Sequence, residues 1–275
     1  MTEQEHAPRP ELTVELGDDH VATLEFSRPP SNYFSLGLVA QMADACEELA
    51  AGRNCRAIVL CSTGRIFCAG ADFSGGSGGR PPGQHSFTAG PQLTGGDGQH
   101  LYDAAARLFE QPLPIVAAVQ GPAIGGGLGL AMAADFRVAA PQARFAANFA
   151  LLGIHQGFAL TVTLPAAIGQ QAALDLLYTG RRVNGEEALT LGLADELAEP
   201  DKARAQAHAL AARIAASAPL AIRSIRETMR APLISQVRSA MARERSEQER
   251  LMATSDWREG LAAVRDRRPA NFAGE

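Results

Sequence analysis

The sequence predicts a mixed α/β domain followed by a helical C-terminal region. Three features predict it: alternating apolar and polar residues near the N-terminus, short β-rich apolar runs in the middle, and helical apolar spacing after residue 200. The 275 residues suffice for one such domain with a substantial core. A hydrophobic share of 46% and a charged share of 20% are those of a globular protein.

The domain opens with a predicted β-hairpin. Residues 12–16 and 21–26 alternate apolar and polar side chains, and a turn-forming stretch separates them. Apolar residues then recur at helical spacing after Ser35, which is a suitable N-cap, and this helix is predicted to end at Gly52.

Two short apolar runs, 57–61 and 114–119, predict strands that are buried on both faces and belong to one parallel sheet. Between them, residues 74–98 consist mainly of Gly, Pro, Ser and Gln without an apolar period. Such a segment cannot bury enough surface to offset its ordering entropy, so we expect a mobile loop.

The pattern becomes almost wholly helical beyond residue 200. Helices are predicted at residues 203–216, 219–230, 234–252 and 255–267. Their apolar stripes are too extensive for solvated helices, so we expect them to pack against the main domain or another subunit. The chain therefore divides into a flexible N-terminus (1–11), an α/β core (12–200) and a helical oligomerisation region (201–275).

Composition and charge exclude several classes of function. A net charge of −5 disfavours nucleic acid, because binding it requires clustered Lys and Arg. Lys202 is the only lysine, which argues against Schiff-base and P-loop chemistry, because both normally use a lysine. With no apolar run of membrane-spanning length and no signal-peptide pattern, we expect a cytoplasmic protein without a membrane partner.

The cysteines predict packed, reduced thiols. They lie close together in the sequence but never form a C-x-x-C motif, which argues against a zinc site or a disulfide framework. The four are Cys46, Cys55, Cys61 and Cys68.

A long motif at residues 115–135 combines an apolar strand, the turn Gly125-Gly-Gly127, a helix and a terminal Asp135. Together with the turn Phe67-Cys-Ala-Gly-Ala-Asp72, it resembles the crotonase (enoyl-CoA hydratase/isomerase) superfamily, and the similarity covers roughly residues 12–272. The resemblance implies a crotonase-like spiral of ββα units and an acyl-coenzyme A thioester as substrate. It also implies no additional cofactor and assembly into a homotrimer or hexamer.

The same resemblance implies roles for the two turns. A thioester oxygen gains negative charge as an enolate forms, and two backbone N–H groups can stabilise it. By resemblance these belong to Ala71 and Gly126, at the start of a helix whose N-terminus is partly positive. Other residues are placed by resemblance along the coenzyme A channel: Arg28, Ala69, Gly70, Phe73 and Gly125.

The chain departs from the family at the acid/base groups. Typical family hydratases use two glutamates, and the corresponding positions here are Gly129 and Phe149, the latter placing an aromatic ring in the binding site. The nearby His155 is the candidate proton carrier, because an imidazole can both accept and donate a proton, and Gln156 can orient a water molecule or a polar group. Alternatively, His155 is a packed, hydrogen-bonded histidine.

Competing motifs are weaker. A dinucleotide fingerprint would need glycine where Leu130 or Met132 stands. Residues 75–79 match G-x-S-x-G but lack the preceding strand and following helix of a nucleophile elbow. The expected reaction is therefore hydration, isomerisation or another enolate reaction of an acyl-CoA. The alternatives are a decarboxylase, hydrolase or lyase, or a catalytically weak acyl-CoA-binding protein.

Overall fold

The computed structural model describes residues 11–71, 93–95 and 98–275. Within these ranges the strands are β1 (Leu12–Leu16), β2 (Val21–Phe26), β3 (Ala57–Ser62), β4 (Ile115–Val119), β5 (Ala123–Ile124), β6 (Phe136–Ala139), β7 (Arg144–Ala146), β8 (Arg182–Asn184) and β9 (Glu196–Leu197). The helices are α1 (Leu36–Ala51), α2 (Leu101–Glu110), α3 (Gly126–Ala133), α4 (Leu160–Ile168), α5 (Gln170–Thr179), α6 (Gly185–Leu191), α7 (Ala203–Ala215), α8 (Pro219–Met252) and α9 (Ser255–Asp266). The expected flexible N-terminus and loop 74–98 lie mostly outside the described residues.

The predicted hairpin and first helix are confirmed. β1 pairs antiparallel with β2, with Leu12 opposite Phe26. α1 begins after Ser35, whose Oγ accepts a hydrogen bond of 3.2 Å from the Leu38 N–H. This side-chain cap satisfies one of the N–H groups that an isolated helix start leaves unpaired. Gly52 ends the helix as expected.

The main sheet, within the described part of the chain, has the strand order β1-β2-β3-β4-β6-β9. Its strands run parallel from β2 to β9, and Ile58 of β3 lies opposite Ile115 of β4. The prediction that these two apolar runs share a parallel sheet is therefore confirmed.

The sheet is buried on both faces. Alternate strand residues such as Leu24 and Ile58 join a large core with α1 and α2. Their neighbours, such as Val59 and Val116, pack against α7 on the opposite face. Side chains of successive strand residues point to opposite faces, so continuous apolar runs are what a doubly covered sheet requires.

A second, smaller sheet in the described residues has the order β5-β7-β8. β5 pairs parallel with β7, so that Ile124 lies opposite Ala146. Because α3 starts two residues after Ile124, this sheet fixes where that helix begins.

The C-terminal region is helical as predicted, but the break expected between residues 230 and 234 is wrong. α8 runs continuously through Pro232. An internal proline removes one hydrogen bond and costs about 3 kcal/mol in a helix. Contacts on either side of it hold the helix together: Arg226 is buried before the proline and Val237 and Met241 after it.

The C-terminal helices share the core of the α/β part. Val237 and Met241 of α8 and Trp257 and Leu261 of α9 belong to the same apolar cluster as the sheet. None of the helices in the described ranges combines the length and apolar character that crossing a bilayer requires.

Candidate functional site

An apolar cavity of about 250 Å³ lies where the 69–71 turn and the start of α3 face the C-terminal helices. Residues of the two turns form one wall, and the segment 148–158 together with α2, α8 and α9 contributes the others. Residues lining it include Phe34, Ala69, Gly70, Ala71, Leu101, Tyr102, Gly125, Gly126, Asn148, Phe149, Leu152, Ile154, Phe158, Gln248, Met252 and Leu261.

Backbone hydrogen bonds bring the two turns together. The Cys68 N–H donates to the Pro122 carbonyl at 3.0 Å, and the Ile124 N–H donates to the Cys68 carbonyl at 2.9 Å. Ala71 and Gly126, far apart in sequence, thereby border the same cavity. Within the described residues, neither of their N–H groups donates a hydrogen bond to the protein.

Two glycines make this approach possible. Gly125 has φ 55° and ψ −119°, a conformation that side chains strongly disfavour. At Gly127, a Cβ atom would lie 2.1 Å from the Cys68 carbonyl oxygen, which is a backbone clash. The N-terminus of α3 therefore meets the 67–71 turn closely because glycine stands at these positions, and its partial positive charge faces the cavity.

The binding residues expected by resemblance divide into two groups. Ala69, Gly70, Gly125 and Phe149 line the cavity. Arg28 does not: its Nε lies 2.9 Å from Glu11 Oε1, and its Nη1 donates to the Tyr33 carbonyl at 2.8 Å. Arg28 thus holds the chain that precedes α1. Phe73 lies outside the described residues.

Gly129 is packed against Phe158 and does not line the cavity. A Cβ atom at residue 129 would lie 2.4 Å from the Phe158 Cβ and 2.9 Å from its carbonyl oxygen. Phe158 is held there with φ 60°. The Phe158 ring packs on Phe34 at a centroid distance of 5.3 Å. The space beside Gly129 is therefore filled by an aromatic residue.

His155 and Gln156 are not among the lining residues. His155 Nδ1 lies 2.8 Å from the Gln156 carbonyl, and the Gln156 side chain donates to Thr161 Oγ1 at 3.2 Å. This geometry favours the packed, hydrogen-bonded interpretation of His155. The variant His155→Ala distinguishes a proton-carrying His155 from a packed one. If His155 carries a proton, the variant should lose turnover and keep its acyl-CoA affinity. If His155 is only packed, the variant should keep both.

Sequence reasoning missed a polar network between α2, α8 and the 155–161 segment. The Tyr102 hydroxyl donates to Gln248 Oε1 at 2.8 Å, and Gln248 Nε2 donates to the His155 carbonyl at 3.0 Å. Burial raises the pKa of Tyr102 well above its usual range, so its hydroxyl stays protonated. These partners are up to 146 residues apart, and no local pattern indicates such contacts.

Glu244, one turn before Gln248 on α8, is fully buried and caps the start of α4. Its carboxylate accepts from the Ala159 N–H at 2.8 Å, the Thr161 N–H at 2.9 Å and the Thr161 hydroxyl at 2.7 Å. Burial outweighs these donors and raises its pKa to about 7. Glu244 thereby fixes the segment that carries Phe158.

This pKa predicts a pH-dependent stability. Between 4.5, the unfolded value, and about 7, the folded state holds a proton that the unfolded state has lost, so stability falls as pH rises. Relative to Glu244→Gln, the wild type should lose about 3 kcal/mol of unfolding free energy between pH 4.5 and 8. Urea titrations of both proteins across this range measure the difference; a constant difference contradicts the assignment.

The described residues contain no cluster of three or more metal-ligating His, Cys, Asp or Glu side chains. The four cysteines are buried, and burial raises the pKa of Cys46, Cys61 and Cys68 to about 12. These thiols pack in the core as expected, and burial disfavours their thiolate forms.

Comparison with known proteins adds independent information. Residues 17–275 match the family model described as enoyl-CoA hydratase/isomerase. The chain is 32% identical to a putative enoyl-CoA hydratase/isomerase, YngF, of Bacillus subtilis, covering 94% of this chain and 96% of the relative. It is 30% identical to a crotonyl-CoA hydratase of Syntrophomonas wolfei, covering 93% and 95%. The crystal structure of an enoyl-CoA hydratase/isomerase from Pseudoalteromonas atlantica superposes with a TM-score of 0.83 at 30% identity, covering 96% of this chain and 100% of that one.

Proposed function

Since the chain belongs to the enoyl-CoA hydratase/isomerase family and has its crotonase fold, we propose that it binds an acyl-CoA thioester and stabilises the thioester enolate through two backbone N–H groups. These groups are the amides of Ala71 and Gly126. The coenzyme A thioester is the substrate, and the proposal requires no further cofactor.

One observation carries this proposal: two N–H groups from different turns border one cavity, and neither has an acceptor within the described residues. Fixed donors in a cavity poor in water stabilise developing negative charge without reorganising, and losing one such donor typically costs about 10²–10³ in turnover. The N-terminus of α3 adds a favourable field. An anionic enolate oxygen matches this arrangement.

Support for a reaction other than hydration comes from the described residues at the two positions where, by resemblance, the family carries its glutamates. Phe149 lines the cavity, and Gly129 is covered by Phe158. No ionisable carboxyl, imidazole or amine lines the cavity among the described residues. We therefore favour double-bond isomerisation or another enolate reaction over efficient hydration. Decarboxylation, hydrolysis or C–C cleavage of an acyl-CoA is the second candidate, because the same absence of carboxylates favours reactions that need fewer protein acids. A catalytically weak acyl-CoA-binding protein is the remaining alternative.

Exposed apolar residues on α8 support a homo-oligomer, which we propose to be a trimer or hexamer in the cytoplasm. Ile225 and Met229, which are four residues apart and therefore on one face of α8, have 58% and 75% of their surface exposed in the single chain. Patches of this kind on a helix mark an interface when they are contiguous. Sedimentation analysis distinguishes one, three and six copies.

Infrared difference spectroscopy of a bound thioester tests the donor pair directly. With a ¹³C-labelled carbonyl, the C=O stretch of butyryl-CoA should move to lower wavenumber on binding, because both N–H groups polarise it. The matched ligand S-butyl-CoA, a thioether without the carbonyl, should bind about tenfold more weakly, as expected for the loss of paired hydrogen bonds.

The variant Gly126→Ala tests whether the Gly126 N–H contributes to the shift of the C=O stretch. In Gly126→Ala, the new Cβ would lie 2.5 Å from Phe34 Cζ, so the turn or the ring must move. The carbonyl shift should then decrease. An unshifted stretch in the wild type, with butyryl-CoA bound, would rule out the Ala71 and Gly126 pair. Incubating the protein with a panel of acyl-CoAs and analysing products by mass spectrometry identifies the reaction.

A further inference from the structure

Among the described residues that line the cavity, Asn148 has a polar side chain that the proposed function does not use. It lies between β7 and Phe149 and is partly exposed. Within the described residues its carboxamide has no hydrogen-bond partner, whereas Tyr102 and Gln248 bond to each other across the same cavity. A carboxamide offers two N–H donors and an acceptor oxygen.

Asn148 is held next to the proposed carbonyl site. The Gly125 N–H donates to the Ala146 carbonyl at 2.8 Å, which ties the end of β7 to the start of α3. A Cβ atom on Gly125 would lie 3.5 Å from Asn148 Oδ1. The carboxamide is therefore adjacent to the residue that precedes Gly126. A thioester oxygen held by Gly126 would place the first carbons of its acyl chain near Asn148.

The surroundings of Asn148 determine what it can recognise. Apolar residues such as Leu152 and Ile154 make up most of the wall, and no cationic side chain lines the described part of the cavity. A carboxylate on the acyl chain would have no counter-ion there. A plain hydrocarbon chain would displace water from the Asn148 carboxamide without replacing its hydrogen bonds. A neutral oxygen on the acyl chain would replace the hydrogen bonds that water makes to the Asn148 carboxamide.

We propose that Asn148 is a specificity-determining residue that hydrogen-bonds a neutral hydroxyl or keto oxygen on C3 of the acyl chain. The inference rests on the proposed function, because it needs the thioester oxygen at Ala71 and Gly126. The protein thus prefers 3-oxygenated acyl-CoAs over unsubstituted ones of the same length. Sites that hydrogen-bond a substrate group reject analogues without it, because a buried protein group is then left unpaired.

Calorimetric titration with butyryl-CoA, 3-hydroxybutyryl-CoA and 3-oxobutyryl-CoA tests this preference. The wild type should bind both oxygenated thioesters at least about tenfold more tightly than butyryl-CoA. Asn148→Leu, which has a similar size and no hydrogen-bonding group, should bring all three affinities within about twofold of one another. Ile154→Val changes the same wall without touching a polar group, so its affinity ratios should equal those of the wild type.

Asn148→Asp separates the two oxygen types while keeping the side-chain shape. A carboxylate accepts a hydrogen bond from a hydroxyl but donates none to a keto oxygen. The preference for 3-oxobutyryl-CoA should vanish in this variant, and that for 3-hydroxybutyryl-CoA should persist.

Two outcomes overturn the inference separately from the proposed function. Equal affinities for the three thioesters in the wild type, or an unchanged ratio in Asn148→Leu, would remove Asn148 from substrate selection and leave thioester binding intact. If no thioester bound more tightly than free coenzyme A, the proposed function itself would fail, and this inference with it.

Discussion

Hydration of crotonyl-CoA by this protein is expected to be at least about 10³-fold slower than by hydratases of its family that carry two catalytic glutamates, since each acid/base group contributes about 10²–10⁴ in rate. By resemblance to the family, Gly129 and Phe149 stand where those glutamates would be, and Phe149 lines the cavity. The loss of enoyl-thioester absorbance measures the rate. Rapid loss of that absorbance would show that another group delivers the water.

The structure also predicts that a glutamate placed at residue 129 alone does not give hydration activity. In Gly129→Glu, the side chain must begin 2.4 Å from the Phe158 Cβ, so the variant should be destabilised and remain inactive in hydration. Phe149→Glu is the matched comparison, because residue 149 already borders the cavity. A carboxylate there can reach a water molecule, so this variant should hydrate crotonyl-CoA faster than Gly129→Glu.

Local pattern predicted the hairpin, α1, β3, β4 and the C-terminal helices because the causes of these elements are local. The hairpin follows from alternation, and α1 follows from apolar spacing and the Ser35 cap. The proposed break in α8 was wrong because the intrinsic cost of Pro232 is offset by tertiary contacts of both helix halves. α2 was missed at the sequence level, although His100 and Asp103 form a capping box at its start.

The candidate site was predicted in its backbone part and at Phe149, but not in its other side chains. The resemblance of two glycine-containing turns to the family indicated Ala71 and Gly126, and both border the cavity. The side chains that close the cavity come from distant segments, and Gln248 meets Tyr102 across 146 residues. Asn148 could have been found, because it directly precedes Phe149, a position already singled out. The arrangement of Phe158 over Gly129 depends on a positive φ that the sequence does not reveal.

The largest effect on stability is expected at Asp135, where Asp135→Asn should lower the unfolding free energy by about 3–5 kcal/mol. The carboxylate accepts from Arg226 Nε at 2.9 Å, Arg230 Nη1 at 2.6 Å and the Ile115 N–H at 2.8 Å. Both arginines are largely buried and already have donors without partners among the described residues. Removing the carboxylate charge leaves two buried cations uncompensated, which is far costlier than losing one hydrogen bond.

A surface ion pair of the same geometry provides the control. Asp44 Oδ1 lies 2.6 Å from Arg107 Nη2, the same distance as in the Asp135–Arg230 pair, but its side chain is 58% exposed compared with 14% for Asp135. Asp44→Asn should therefore cost less than about 1 kcal/mol. Denaturant titrations at one fixed protein concentration measure both variants, because the proposed oligomer would make stability depend on concentration. Equal losses would show that burial does not decide the difference.

The pH dependence distinguishes lost charge from lost packing at Asp135. Burial raises its pKa, but the charges of Arg226 and Arg230 outweigh burial and hold the pKa below its usual value of 3.8. A group whose folded pKa is depressed stabilises the protein above its unfolded pKa, and this stabilisation is lost as pH falls through the folded value. The stability difference between the wild type and Asp135→Asn should therefore be constant above about pH 5 and shrink below 3.8. The cost of a packing defect would be independent of pH. If the difference in unfolding free energy between the wild type and Asp135→Asn stayed constant at acid pH, the loss would come from altered packing and not from the charge that Asp135 provides for the α8 arginines.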